Sequence, residues 1–237
     1  MKKLLQVYQA TDIGCVRATN EDSLAVFEPQ VYVVADGMGG EAAGEVASRI
    51  LTETLQQVLG QRETVDSQEL AQAIQQGNAA ILQCVQEHPE YQGMGTTATA
   101  LHAEAGTAHW AHVGDSRLYL WRQGGLRQIT RDHSYVEDLV ENGTLTPEEA
   151  RVHPRKNMLT RAVGVAADLQ VDTGTFALQP GDQLLLATDG LMKHVTDEEI
   201  AAALQQRAAD PARQLVDMAL NAGGSDNVTA IVVVLPS

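Results

Sequence analysis

Four apolar, β-rich runs in this chain each end or begin on an aspartate, and that pattern narrows the possible folds sharply. The runs are VYVVAD, ending at Asp36, AHWAHVGD, ending at Asp115, LLLATD, ending at Asp189, and DNVTAIVVVL, beginning at Asp226. Where neighbouring strands run antiparallel, the end of one meets the start of the next at one edge of the sheet. Four carboxylates far apart in sequence then converge. Such a cluster repels itself unless cations neutralise it, and carboxylate oxygens suit Mg²⁺ or Mn²⁺ rather than Zn²⁺ or Cu²⁺. Singly, each aspartate has a plain explanation as a turn residue or a solvated strand end. Two details argue otherwise. Asp36-Gly37 and Asp189-Gly190 lead into helical patterns rather than returning strands, and both close strongly apolar runs, where a charge needs a partner.

The charge balance bears directly on such a site. Lys+Arg 16 against Asp+Glu 31 gives a net charge of −15. That sign argues against nucleic acid and anionic membranes as partners. It also means that a phosphorylated ligand is repelled at long range, so bound cations and a local arginine must invert the field where it binds. Cys15 and Cys84 fit neither a disulfide framework nor a CxxC metal pair, which predicts a reduced, cytoplasmic setting. The apolar part of MKKLLQVYQATD is too short for a signal peptide. No stretch approaches the roughly 20 apolar residues that span a bilayer.

No repeat or linker divides the 237 residues, so one domain is expected over 1–237. Gln30–Ala35 reads as a strand. A helical pattern follows through Ala43, Val46, Ile50 and Leu51 towards Leu59, and Asp66 with Glu69 opens a second helix. From Thr96 to Thr130, three β-rich runs are separated by Ala105-Gly106 and Gln123-Gly124-Gly125, which read as hairpin turns. Ser134–Asn142 and the segment opened by Thr146-Pro147-Glu148-Glu149 predict two short helices. Thr196 with Glu199 and Asp210 with Pro211 start two more, and Asn227–Leu235 closes the chain as a strand. Helices and strands are grouped rather than alternating, which predicts α+β with largely antiparallel sheet.

Gly37-Met38-Gly39-Gly40-Glu41-Ala42 also fits the dinucleotide pattern G-x-G-x-x-A. That reading fails on context. A Rossmann unit needs a parallel strand straight after the helix, and here the helix runs through QRETVDS into another helix. There is no GxSxG, HExxH or GxxxxGK[ST] motif. Of the seven histidines, His133 alone lies beside a candidate segment.

Taken together, TDIGCVRATNEDSL, VYVVADGMGGEAAGE, GMGTTATA, AHVGDSRLYLW, LTRAVG, QLLLATDGL and GGSDNVTAIVV resemble, in order, the motifs of the metal-dependent protein phosphatases of type 2C. The likeness runs from about Gln6 to Leu235 and is closest to the compact bacterial serine/threonine phosphatases. It implies a central antiparallel β-sandwich flanked by helices on both faces, four layers in the order αββα. It implies a flap insert at about 134–157, with Arg151, His153, Arg155 and Lys156 forming a basic patch. The expected metals are two catalytic Mn²⁺ or Mg²⁺ ions and a third, weaker one. Asp36 matches the carboxylate that bridges two ions, and the Gly37 carbonyl a ligand of the first. Asp189 and Asp226 match the ligands of the second. Asp115, with Asp189, matches the acid that holds the third. Glu21 and Asp22 match outer-shell acids, and Arg17 the arginine that grips phosphate.

The implied activity is hydrolysis of phosphoserine and phosphothreonine by direct attack of a hydroxide held between two ions, without a phosphoenzyme. Implied partners are phosphoproteins, including a serine/threonine kinase and its substrates, with the enzyme acting as a monomer. The alternative is a non-catalytic pseudophosphatase that binds phosphoprotein, and a phosphatase for small phosphate esters is a third reading. Two departures limit the transfer. Met38 stands where eukaryotic relatives carry a proton-donating histidine, and Glu41 where several bacterial relatives have one. The proton donor is then a metal-bound water, favoured here, or His133.

Overall fold

The computed structural model describes residues 5–39, 43–104 and 106–236. Glu41, Gly40 and Ala105, singled out above, lie outside them. Two antiparallel sheets stack face to face. In the first, β1 (Gln6–Asp12), β11 (Val228–Val234), β10 (Gln183–Ala187), β7 (Arg117–Arg122) and β8 (Gly125–Gln128) lie in that order. In the second the order is β2 (Asp22–Phe27), β3 (Val31–Met38), β5 (Ala98–Glu104), β6 (Thr107–Val113) and β9 (Asp172–Ala177). The short β4 (Gly95–Thr96) pairs with the end of β3.

Strand alternation builds the layers, because successive side chains point to opposite faces. Tyr32 and Val34 of β3 pack inward against Leu184, Leu186, Ile231 and Val233 of the facing sheet. Val31, Val33 and Ala35 point outward, onto Leu51, Leu55, Ile74 and Ile81 of α1 (Ala43–Leu59) and α2 (Ser67–Glu87). On the opposite flank Leu185, Ala187 and Val232 cover Leu191, Ile200, Leu204 and Leu215. Those residues come from α5 (Asp189–Met192), α6 (Asp197–Gln206) and α7 (Pro211–Asn221). The four-layer αββα sandwich is therefore what the resemblance implied.

The helix starts follow their caps. Asp66, Thr146 and Thr196 each close a capping box with the glutamate three residues on. The flap holds α3 (Tyr135–Glu141) and α4 (Pro147–Val152), and its base is tied by Tyr135 N–H donating to the Met158 carbonyl at 2.8 Å.

Three differences from the sequence reading bear on the site. The run from Thr107 to Arg122 is not one strand, because it breaks at Gly114, whose φ is +108°, and passes from one sheet to the other. Asp115 therefore sits on a crossover between sheets. The strand predicted over Gln30–Ala35 starts at Val31 and continues through Asp36 and Gly37 to Met38. Finally, β1 and β2 were not expected as strands. Both lie at sheet edges and are largely half-exposed, so neither carries a continuous apolar run.

Candidate metal centre

Asp22 and Asp36 are direct cross-strand partners on β2 and β3. Like charges in that position destabilise a sheet. Asp22 is buried, and its Oδ2 accepts the hydroxyls of Thr188 and Thr229, each at 2.7 Å, which ties the second sheet to the first. Its Oδ1 has no hydrogen-bond partner among the described residues. Burial outweighs the two threonine bonds and, with the charges of Asp189 and Asp226, raises the Asp22 pKa to about 7.

Asp36 is pinned through its backbone. Its N–H donates to Thr97 Oγ1 at 2.9 Å, and its carbonyl accepts from Thr96 Oγ1 at 3.0 Å and Thr97 N–H at 2.9 Å. Its carboxylate makes no hydrogen bond to the described residues. Burial, then the charges of Asp22, Asp189 and Asp115, hold its pKa well above the usual carboxylate range, and Lys193 offsets only part of this. Gly37 must be glycine for steric reasons. A Cβ there would lie 2.1 Å from the Gly44 carbonyl oxygen and 2.5 Å from that of Glu21. This close approach sets the start of α1 and the Glu21 backbone against the strand end.

Asp115 reaches the cluster from the crossover. The adjacent Ser116 shares a 2.7 Å hydroxyl bond with Thr97, the residue that also holds Asp36. Burial, followed by the charges of Asp189 and Asp132, raises its pKa to about 8. Glu21 is half-buried, and burial raises its pKa as well. Arg117, beside Asp115, takes no part, because its guanidinium is held by Asp132 at 2.7–3.1 Å and by Tyr119 Oη at 2.8 Å.

Asp189 opens α5 just after β10, and Asp226 immediately precedes β11. Gly190 permits their approach, since a Cβ there would meet the Asn227 carbonyl at 1.9 Å. Lys193 spans the pair, with Nζ 2.6 Å from Asp189 Oδ2 and 2.6 Å from Asp226 Oδ2. Arg17 docks on the same Asp226, Nε to Oδ1 at 2.8 Å and Nη2 to Oδ2 at 3.0 Å. Its ion partner is thus Asp226 rather than the nearby Glu21. Burial works to raise the Asp226 pKa, but the bond and charge of Lys193, aided by Arg17, hold it below the usual value.

Asn227 secures this arrangement. Its Nδ2 donates to the carbonyls of Ile13 and Thr19, both at 2.9 Å, bracketing the loop that carries Arg17. Its Oδ1 accepts the Glu21 N–H at 2.8 Å. Neither Asn227 nor Lys193 was singled out from sequence. The spacing of Lys193 four residues after Asp189 could have revealed it, whereas nothing local marks Asn227.

A divalent metal suits these residues. Asp22, Asp36 and Asp115 place negative charge in low dielectric, with one buried oxygen orphaned and two carboxylates unbonded among the described residues. Every donor is hard oxygen. Among the described residues, no three Asp, Glu, His or Cys side chains close into a cage around one point. A cavity of about 360 Å³ lined by Trp110, Arg127 and Phe176 shares no residue with this cluster.

The protein phosphatase 2C family model matches residues 16–227. The chain belongs to the protein phosphatase 2C family. It is 40% identical over 231 residues to the serine/threonine protein phosphatase PstP of Mycobacterium tuberculosis, covering 97% of this chain but 45% of that protein. The chain thus spans under half the length of this relative. It is 37% identical over 234 residues to the serine/threonine phosphatase stp of Listeria monocytogenes, covering 94% and 93% of the two chains. The crystal structure of the PstP catalytic domain with two manganese ions superposes with a TM-score of 0.90 at 39% identity, covering 98% of this chain and 99% of that one.

The surroundings of Met38 and His133 decide whether either side chain is free to give up a proton. Met38 Cε and the Val165 side chain both sit over Gly95, an apolar contact that offers no proton. His133 is buried, accepts the Gly114 N–H at Nδ1 (3.0 Å) and holds Asp172 through Nε2 (3.1 Å). Burial lowers its pKa against the pull of Asp172. Both ring nitrogens are occupied, so His133 braces the crossover beside Asp115.

Proposed function

We propose that this chain hydrolyses phosphoserine and phosphothreonine in proteins, using two Mn²⁺ or Mg²⁺ ions and a third, weaker one, as a single catalytic domain over 1–237. The observation that carries this reading is the set of Asp22, Asp36 and Asp115. Burial raises all three, the charge of Asp189 adds to it in each case, and bound cations favour their charged forms. Asp36 with the Gly37 carbonyl, Asp189 with Asp226, and Asp115 would hold the ions, and Glu21 and Asp22 would orient the surrounding waters.

When bound, the ions supply a water acidic enough to act as hydroxide near neutral pH and counter-charge for the phosphoryl oxygens. The chain's own residues do the rest. Arg17 is exposed, and the Nε and Nη2 that grip Asp226 form the planar fork that fits two phosphoryl oxygens. Asn227 fixes the loop that aims this fork. Thr96 and Thr97 hold the Asp36 backbone in register. With Met38 apolar and His133 engaged, the proton for the leaving alkoxide comes from water.

All the acids that the family resemblance requires are present, so no observation favours the pseudophosphatase. Phosphoproteins, including a serine/threonine kinase and its substrates, are the proposed partners, with the protein acting as a monomer. Cys15 and Cys84, both free, support a reducing, cytoplasmic setting. No helix among the described residues is long and apolar enough to cross a membrane. The test is hydrolysis of a phosphothreonine peptide with Mn²⁺, with chelator, and by Asp36→Asn. Turnover that needs both metal and Asp36 supports the reading, and metal-independent turnover, or an active Asp36→Asn, overturns it.

A further inference from the structure

The Asp189–Asp226 pair already holds a cation of the chain's own. Lys193 follows the single turn of α5, and its N–H donates to the Asp189 carbonyl at 2.9 Å. That turn fixes the lysine four residues after Asp189. Its Nζ lies 2.6 Å from an oxygen of each carboxylate, and the lysine and both acids are half-buried. Arg17 supplies the second positive charge, on Asp226. Two carboxylates are thus matched by two cations.

Among the described residues Asp36, Asp22 and Asp115 have no such partner in contact. Lys193 reaches Asp36 and Asp115 only through its field. An ion arriving at Asp189 and Asp226 must therefore take oxygens that Lys193 holds, or bind beside a fixed positive charge. Either course weakens its binding.

We propose that Lys193 is a resident counter-ion, holding Asp189 and Asp226 together in the metal-free protein and setting the affinity of the divalent ion that shares them. The inference rests on the assignment of these two aspartates as metal ligands. It makes the site self-supporting before metal arrives, at the cost of weaker metal binding.

The experiment is calorimetric titration of the metal-free full chain with Mn²⁺ alone, on wild type, Lys193→Gln, Lys193→Arg and Asp226→Asn. Melting in chelator gives a second readout. Removing one charge-assisted contact should tighten the Asp226-dependent site about tenfold, as expected for an ion pair of about 1.4 kcal/mol. Lys193→Gln should also melt below wild type in chelator, while Lys193→Arg keeps the wild-type affinity. Lys193→Met, which retains the apolar stem, replaces Gln if that variant folds poorly. Unchanged or weaker Mn²⁺ binding in Lys193→Gln and Lys193→Met, with Asp226→Asn losing a site, overturns the inference alone. If Asp226→Asn keeps every Mn²⁺ site, the ligand assignment fails and takes the inference with it.

Discussion

Asp226 and Asp36 are the same residue type at the same edge of one sandwich, yet their environments push them in opposite directions. Asp226 touches Arg17 and Lys193 and is held below the usual carboxylate range. Among the described residues Asp36 touches no cation; it faces Asp22 across the strand pair and is held well above that range. One side of the acidic cluster is neutralised by the chain itself, and the other depends on cations from solution. The difference teaches that electrostatic need is local. A net charge of −15 says only that counter-ions are wanted, and the contacts decide where.

The sharpest way to break the comparison is to empty its neutralised side. Asp226→Ala should cut kcat on the order of a thousandfold or more, because a bound ion supplies several kcal/mol of charge stabilisation. The fold should survive, since Lys193 keeps Asp189 as a partner. Near-normal turnover in a folded variant would remove Asp226 from the metal assignment. On the other side, Asp115→Ala should slow turnover about tenfold, or about 1.4 kcal/mol of barrier. It should abolish only a weak Mn²⁺ site, and calorimetry that finds no site lost would contradict the role given to Asp115.

The pH dependence sharpens the comparison without mutation. Asp22, at about 7, and Asp115, at about 8, lie above the ordinary Asp value of 3.8. Each stabilises the fold while protonated, so that stability is full below the unfolded pKa and is lost as pH rises through about 8. Asp226 has the opposite sign, and its contribution is present above 3.8 and lost as pH falls through its depressed folded pKa. In chelator, melting temperature should fall from weakly acidic pH towards pH 8 and recover with Mn²⁺, which binds the charged carboxylates. A flat profile in chelator would mean that the raised acids are not strained.

The smallest effect is expected at the flap. Arg155 lies over the Tyr135 ring at 5.6 Å, and its N–H donates to His153 Nδ1 at 3.1 Å. Replacing Arg155 and Lys156 by Ala should raise KM for a phosphopeptide about two- to fivefold, as for two exposed charges worth together about 0.4–1 kcal/mol. It should leave kcat and Mn²⁺ affinity unchanged. An unchanged KM would reduce the basic patch to a solvated loop.

Much of this was written locally. Capping boxes at Asp66, Thr146 and Thr196 announced their helices, and apolar runs announced β3, β10 and β11, because both signals depend on a few neighbouring residues. The aspartates at the run ends were visible for the same reason. Edge strands β1 and β2 were not, since half-exposed strands need no apolar run. The split of the Thr107–Arg122 run was equally hidden. What turns the chain there is distant, with Gly114 accepting the His133 N–H and Ser116 bonded to Thr97.

The sequence by itself determined the capped helices, the buried strands β3, β10 and β11, the inventory of acids and the family, because period, caps and ordered motifs are properties of short segments. Only the tertiary structure decided which acids are neutralised. Arg17 meets Asp226 across 209 positions, Lys193 meets it across 33, and Asn227 reaches back to Ile13 across 214. Contacts of that separation carry no local pattern. They exist because two sheets stack and bring their strand ends to one edge.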